Sequence, residues 1–262
     1  MISRDDPAVS TRNSKLETRN LPSPISLIAT LTSAGSTNEV CAGLIPLYEE
    51  TPEKLPTVLI FAETQTAGKG RGDHAWISPP GGLYFSVLFR IEPVPPFLPL
   101  TTGLFLARWL EREFGLDVKI RWPNDLMLMD RKLGGILCEN KGGACIIGVG
   151  INVNASIPAV DKMPQPAMAL SEALGRNLDL EHLRKRVEKY FAERFFPFIL
   201  DARYLSDWDS RSAFAKGQVI TWTSGGKPGD GIYLGITPEG YLKVESCGTV
   251  LELPSAEEIR RL

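Results

Sequence analysis

The sequence is poor in the residues that hold metals. It has four cysteines and two histidines among 262 residues. Cys41, Cys138, Cys145 and Cys247 form no CxxC pair, which speaks against a zinc site. Cys138 and Cys145 could face each other on neighbouring strands, but reduced thiols filling core space are the simpler expectation. No apolar run reaches about 18 residues, so no membrane span is expected. Residues 1–24 have no apolar core of a signal peptide, and Asp5, Asp6 and Glu17 argue against a transit peptide. They are expected to be a poorly ordered extension, too short for a winged-helix DNA-binding domain. The formal net charge of −2 makes the whole chain no polyanion binder, so any positive field must be local. There is no internal repeat. The length leaves room for one large domain and a small one.

Two common phosphate-binding patterns are missing as well. A Walker loop needs Gly-Lys followed by Ser or Thr, and Lys69 is followed by Gly70. A dinucleotide fingerprint needs a further glycine where Asp73 stands. What is present is the stretch Glu63-Thr64-Gln65-Thr66-Ala67-Gly68-Lys69-Gly70-Arg71-Gly72-Asp73-His74-Ala75-Trp76. The apolar run at 58–62 before it and Ser78-Pro79-Pro80-Gly81-Gly82 after it read as a strand meeting a loop. Glycine lets the backbone approach a ligand and exposes N–H donors. In extended backbone, Lys69 and Arg71 project to one side, where they suit a phosphate chain. Arg71 adds a forked, always-charged donor set. Taken alone, Gly-Lys-Gly-Arg-Gly is equally a flexible basic surface loop.

The rest of the chain mixes strands and helices. Residues 25–31 are a first strand, and Gly35-Ser36-Thr37-Asn38 carries N-cap signals for a following helix. Hydroxyls at a helix N-terminus also offer donors and acceptors to a polar ligand group. A buried strand is expected at 83–90, a connection at Pro93, Pro95, Pro96 and Pro99, a helix at 101–114 stopped by Gly115, and a strand at 118–122 stopped by Pro123. Asn124 and Asp125 are either an ordinary turn or oxygen ligands for the magnesium of Mg–ATP. A hairpin is expected from Leu126–Met129 and Leu133–Cys138 around Asp130-Arg131. Its Gly134-Gly135 suggests close backbone approach. Lys132 beside those glycines is usual solvated surface by type, and a ligand contact by context. Residues 144–154 form an apolar strand with Asn152 and Asn154 on one face. Helices follow at 167–174 and 180–196, then a charged helical connection at 201–214. From Lys216 on, short strands at 219–222, 232–236, 241–245 and 249–253 with glycine turns suggest a small barrel.

Four motifs stand in order: the glycine loop, Arg121-Trp122-Pro123-Asn124-Asp125, Arg131-Lys132-Leu133-Gly134-Gly135-Ile136-Leu137, and Gly148-Val149-Gly150-Ile151-Asn152-Val153-Asn154. Together they resemble the biotin–protein ligase family, from about Ile25 to the C-terminus. The resemblance implies an α+β fold: a mixed, largely antiparallel, class II synthetase-like catalytic domain over 25–212, then an SH3-like barrel over 213–262. It implies that biotin and ATP react, with Mg2+, to biotinyl-5′-AMP, and that the biotinyl group passes to a lysine of a biotin carboxyl carrier protein or domain of a carboxylase. By the same resemblance Ser36, Thr37, Asn38, Gln65, Gly68, Lys69, Gly70, Arg71, Lys132 and Gly135 bind biotin. Lys69, Arg71, Trp76, Asn124, Asp125, Lys132 and Asn152 bind ATP, with Asp125 toward the metal. Lys69, Arg71 and Lys132 are the catalytic candidates, since a carboxylate attacking phosphorus brings two anions together. Trp76 is either a structural core residue or a cover that keeps water from the adenylate. Lys69 stands where arginine is usual in the family, and Gly72-Asp73-His74 replaces a more basic continuation. A cytoplasmic enzyme with no nucleic-acid or membrane partner is expected, and a homodimer is compatible with it. A lipoate or octanoate ligase, and a biotin-sensing repressor, are the alternatives.

Overall fold

The computed structural model describes residues 24–72, 74–155 and 166–262. The N-terminal extension, but for Pro24, lies outside the described residues, as does Asp73. In chain order the elements are β1 (Leu27–Leu31), α1 (Thr37–Leu44), β2 (Val58–Ala62), β3 (Gly82–Arg90), α2 (Leu98–Phe114), β4 (Lys119–Arg121), β5 (Asp125–Leu128), β6 (Arg131–Lys141), β7 (Ala144–Asn152), α3 (Leu170–Leu174), α4 (Leu180–Ile199) and α5 (Trp208–Arg211). Then come β8 (Val219–Ser224), β9 (Lys227–Ile236), β10 (Leu242–Ser246), β11 (Thr249–Leu253) and β12 (Glu257–Arg261). The fold is α+β. A seven-stranded sheet runs β1-β2-β3-β7-β6-β5-β4, and a five-stranded sheet runs β11-β10-β9-β8-β12. β1 and β2 are parallel; the other pairs of the large sheet are antiparallel.

The large sheet is covered on both faces, so its central strands are apolar throughout rather than alternating. Leu59, Phe61, Phe85, Phe89, Ile147 and Val149 face a core built with α2 and α4. Val58, Ile60, Leu88 and Ile146 face Cys41 of α1. Phe105 of α2 is the hub of the first core. Its ring centroid lies 4.8 Å from Tyr190, 5.1 Å from Phe191, 5.2 Å from Phe195 and 5.5 Å from Phe198. Trp222, Tyr233, Leu242 and Ile259 of the smaller sheet join the same core. Trp122 Nε1 donates to the Gly240 carbonyl at 2.9 Å, fixing the smaller sheet against the end of β4.

Several boundaries differ from expectation, each for a local reason. α2 begins at Leu98, because Pro99 sits in its first turn, where a missing N–H costs nothing. The β5–β6 hairpin turns on Met129 and Asp130, both at positive φ, which matches the twist of the strands. Asn154 does not share a face with Asn152. It lies past the end of β7 and holds both the N–H and the carbonyl of Leu178 with its side chain. β9 runs through Gly229 and Gly231 because the Gly225-Gly226 pair alone makes the turn. β12 was not foreseen: Glu-Glu-Ile-Arg-Arg has too few apolar residues to read as a strand.

Phe105→Ala should lower the free energy of unfolding by about 3–5 kcal/mol in urea titrations. Gly115→Ala should cost about 1 kcal/mol. Gly115 ends α2 at φ 69° with open space around it, so the backbone alone is strained.

Candidate functional site

A cavity of about 270 Å³ opens on the α1 side of the large sheet. Its floor follows from the pairing register. Gly135 opposes Gly150, and Leu137 opposes Gly148, so three of four floor positions carry no side chain. The vacant space is used. A Cβ on Gly150 would lie 2.4 Å from Trp76 Nε1, and one on Gly148 would lie 2.2 Å from Asn38 Oδ1. Trp76 and Asn38 therefore rest directly on backbone.

One wall comes from the glycine loop. Gly70 N–H donates to the His74 carbonyl at 2.7 Å, and Trp76 N–H to the Gly68 carbonyl at 2.8 Å. The loop is thus a tight hairpin rather than a slack surface segment. A Cβ on Gly68 would meet the Trp76 carbonyl at 2.4 Å, so this glycine is needed to close it. Lys69 and Arg71 both line the cavity. Lys69 Nζ pairs with Glu39 at 2.6 Å, and that hydrogen bond raises the lysine pKa. Arg71 Nη1 donates to the Ala256 carbonyl at 3.2 Å. Burial lowers the Arg71 pKa, against the opposing charges of Glu257 and Asp125. Residues 256–260, just before and within β12, close this side of the cavity.

Asp125, which also lines the cavity, is held by two cations. Lys132 Nζ lies 2.7 Å from Oδ1, and Arg121 bonds Oδ2. Burial alone would raise the Asp125 pKa, but Lys132 and Arg121 outweigh it and hold the carboxyl below the usual range. Lys132 Nζ also stands 5.3 Å over the Trp76 ring. Asn124 spans from the end of β4 to β6, donating from Nδ2 to the Ile136 carbonyl at 2.8 Å. Asn152 Nδ2 lies 3.3 Å from the Lys132 carbonyl, while its buried Oδ1 has no partner. Trp76 Nε1 is likewise buried without one.

The third group is a row of four oxygens beside Ser36. Gln65 Oε1 is 3.2 Å from Thr37 Oγ1, which is 2.7 Å from Ser86 Oγ, which is 2.6 Å from Asn38 Oδ1. The amide oxygens at the two ends cannot donate. Two hydroxyl hydrogens therefore serve three contacts, and the row is one hydrogen short. Gln65 Oε1 takes the Thr37 N–H at 2.8 Å, and Gln65 Nε2 donates to Ser78 Oγ at 2.8 Å, so its amide orientation is set. Asn38 Nδ2 donates to Glu139 Oε2 at 2.6 Å.

Of the residues picked from sequence, Ser36, Asn38, Gln65, Lys69, Gly70, Arg71, Trp76, Asn124, Asp125, Lys132, Gly135 and Asn152 line this one cavity. Thr37 and Gly68 stand behind the wall. Ser86, Glu139, Glu39 and Arg121 carry much of its wiring and had no site role from sequence. The signals that could have found them are slight: Ser86 is the one serine in a largely apolar strand, and Glu139 is a polar position at even spacing from Gly135. Asp125 was expected to meet magnesium. In the structure both of its oxygens are engaged, Oδ1 by Lys132 and Oδ2 by Arg121.

The depressed Asp125 pKa makes a pH prediction. The folded carboxyl stays ionised where the unfolded chain, with a carboxyl near pKa 3.9, takes up a proton. Its contribution to stability is full at neutral pH and is lost as pH falls through the depressed value. The difference in unfolding free energy between wild type and Asp125→Asn should be constant down to about pH 5 and shrink below about pH 4.

A family model, that of the biotin/lipoate A/B protein ligase family, matches residues 36–155. The chain is 32% identical over 257 residues to the bifunctional ligase/repressor BirA of Escherichia coli, spanning 88% of this chain and 77% of that protein. It is 28% identical over 214 residues to the biotin–[acetyl-CoA-carboxylase] ligase of Paracoccus denitrificans, across 76% of this chain and 88% of that one. Its fold is similar to that of the biotin protein ligase from Aquifex aeolicus in complex with biotin and ATP. That match has a TM-score of 0.72 and 26% identity, and it covers 90% of this chain and 100% of that one. With its hairpin of alternating glycine and cation, its glycine floor and these relatives, the chain is a ligase and belongs to the biotin–protein ligases of the biotin/lipoate A/B family.

Proposed function

We propose that the cavity joins biotin to ATP and passes the biotinyl group to a lysine of a biotin carboxyl carrier protein or domain. The observation that carries this reading is one cavity with two chemically opposite ends. Ser36, Asn38 and Gln65 offer a neutral hydrogen-bonding end, Arg71 and Lys132 gather near Asp125 as a cationic one, and Lys69 lines the cavity paired with Glu39. Biotin has a polar ring, an apolar body and a carboxylate tail, which fits such a site. The hydrogen shortfall beside Ser36 favours a ligand with N–H groups. The biotin ureido ring has two, whereas lipoate and octanoate have none. The Aquifex relative, whose fold is similar, holds biotin and ATP. The printed name of the Paracoccus relative supports a carboxylase as the source of the carrier.

In the first step a biotin carboxylate oxygen attacks the α-phosphorus. A new P–O bond forms, the α–β bond breaks, and pyrophosphate leaves. In the second, a neutral lysine amine attacks the acyl carbon, an amide forms, AMP leaves and the amine proton goes to solvent. Two anions must approach in the first step, so the cationic end lowers its barrier most. Lys132 stands between Asp125 and Trp76, where its ammonium can move from its internal carboxylate partner to the ligand carboxylate and α-phosphate. Magnesium enters as part of the ATP substrate. The ATP requirement and four free thiols fit a cytoplasmic enzyme.

Purified protein should exchange pyrophosphate into ATP when biotin is added and not with lipoate or octanoate. Equal exchange with lipoate would overturn the biotin reading. Lys132→Ala should melt close to wild type, since Arg121 still holds Asp125. Its adenylate formation should fall by about a hundredfold or more, with biotin affinity reduced much less. Adenylate formation at the wild-type rate would show that the catalytic centre lies elsewhere.

A further inference from the structure

The row of four oxygens has a second possible wiring. Were the Asn38 amide reversed, its nitrogen would donate to Ser86, Ser86 to Thr37, and Thr37 to Gln65. All three contacts would then carry a hydrogen, and the row would be satisfied without any ligand. The reversed amide would aim its oxygen at Glu139 Oε2, 2.6 Å from the Asn38 terminal atom now facing it. A carboxylate accepts and cannot donate, so that arrangement places two acceptors together. The Leu137 carbonyl, 3.5 Å from Asn38 Nδ2, weighs the same way. Asn38 is 3% exposed and Ser86 fully buried, so the orientation of the Asn38 amide is decided by its protein partners.

We infer that Glu139 is a positioning residue that keeps the head-group end of the cavity one hydrogen short, and so makes it selective for a ligand that brings an N–H group. Glu139 does not line the cavity. It acts through Asn38 and Ser86. It fixes the Asn38 amide, which draws the Ser86 hydrogen, which draws the Thr37 hydrogen. The lone pairs of Thr37 Oγ1 and Gln65 Oε1 are then left facing each other at 3.2 Å. Gln65 is the member of the pair that lines the cavity, so a ligand N–H that reaches Gln65 Oε1 supplies the missing hydrogen. Glutamine at 139 can accept from or donate to Asn38 equally well, so it releases the amide to the self-satisfied wiring.

The inference rests on the biotin reading, and the test separates the two. Biotin binding to the full chain is measured by titration calorimetry. The probes are biotin and its two cyclic-carbamate analogues, in which one ureido N–H is replaced by a ring oxygen of similar size. Wild type should bind biotin and lose about tenfold or more with one of the carbamates. Glu139→Gln should bind biotin about tenfold more weakly and distinguish it from that carbamate by less than about threefold, with ATP affinity within about twofold of wild type. Ser86→Ala should behave alike, because the Thr37 hydrogen then turns to Gln65. This second variant decides the matter if Glu139→Gln does not fold. Wild-type discrimination retained in both variants, or biotin and carbamate weakened by one common factor, would make Glu139 a structural residue only. A wild-type chain that binds no biotin would remove the biotin reading and the inference with it.

Discussion

A patch of sheet without side chains is the constraint on which the rest of the site depends. Sheet faces normally present a side chain at every second residue. Here Gly135, Gly148 and Gly150 leave the face bare over two adjoining strands. Trp76 and Asn38 come down onto the backbone there, and each brings its own element with it. Trp76 fixes the glycine hairpin against the floor, and Asn38 fixes the start of α1. An alanine at either central position would drive its Cβ to within 2.5 Å of one of these groups, and no flexible chain end is available to yield. The glycines thus define the cavity by what they allow to approach.

On that floor each cation has a partner already. Lys69 meets Glu39, Arg71 meets the Ala256 carbonyl, and Lys132 meets Asp125. Paired in this way, the cations keep fixed positions without leaving uncompensated charge in a partly buried site. In the proposed reaction an arriving anion would exchange one partner for another, and little side-chain entropy would be lost at that moment. The electrostatics are prepared in advance, which is what allows a cationic site to act on a transition state.

The central elements were legible from sequence because their causes are local. The apolar run of β2, the αL glycine after α2, and the paired glycines of β6 and β7 each announce themselves within a few residues. Most of the residues picked from sequence line one cavity, since the motifs fall at strand ends and turns that the sheet brings together. What escaped depends on distant partners. Glu139 and Ser86 acquire meaning only when β3, β6 and β7 align, and the pairing of Asp125 with Arg121 and Lys132 appears only when β4, β5 and β6 come together. β12 was invisible because its alternation is nearly all charged. Its single buried residue, Ile259, is enough once β8 supplies the pairing.

The bond from Arg71 to the Ala256 carbonyl joins residues 185 apart in the chain. Synthesis proceeds from the N-terminus, and the large sheet, complete at Asn152, is free to fold while the smaller one is still inside the ribosome. During that interval the glycine hairpin has no far wall to hold its arginine. The cavity gains that wall only after residues 256–260 have emerged and β12 has paired with β8, so a shorter nascent chain carries the glycine floor and the hairpin but not the closed site.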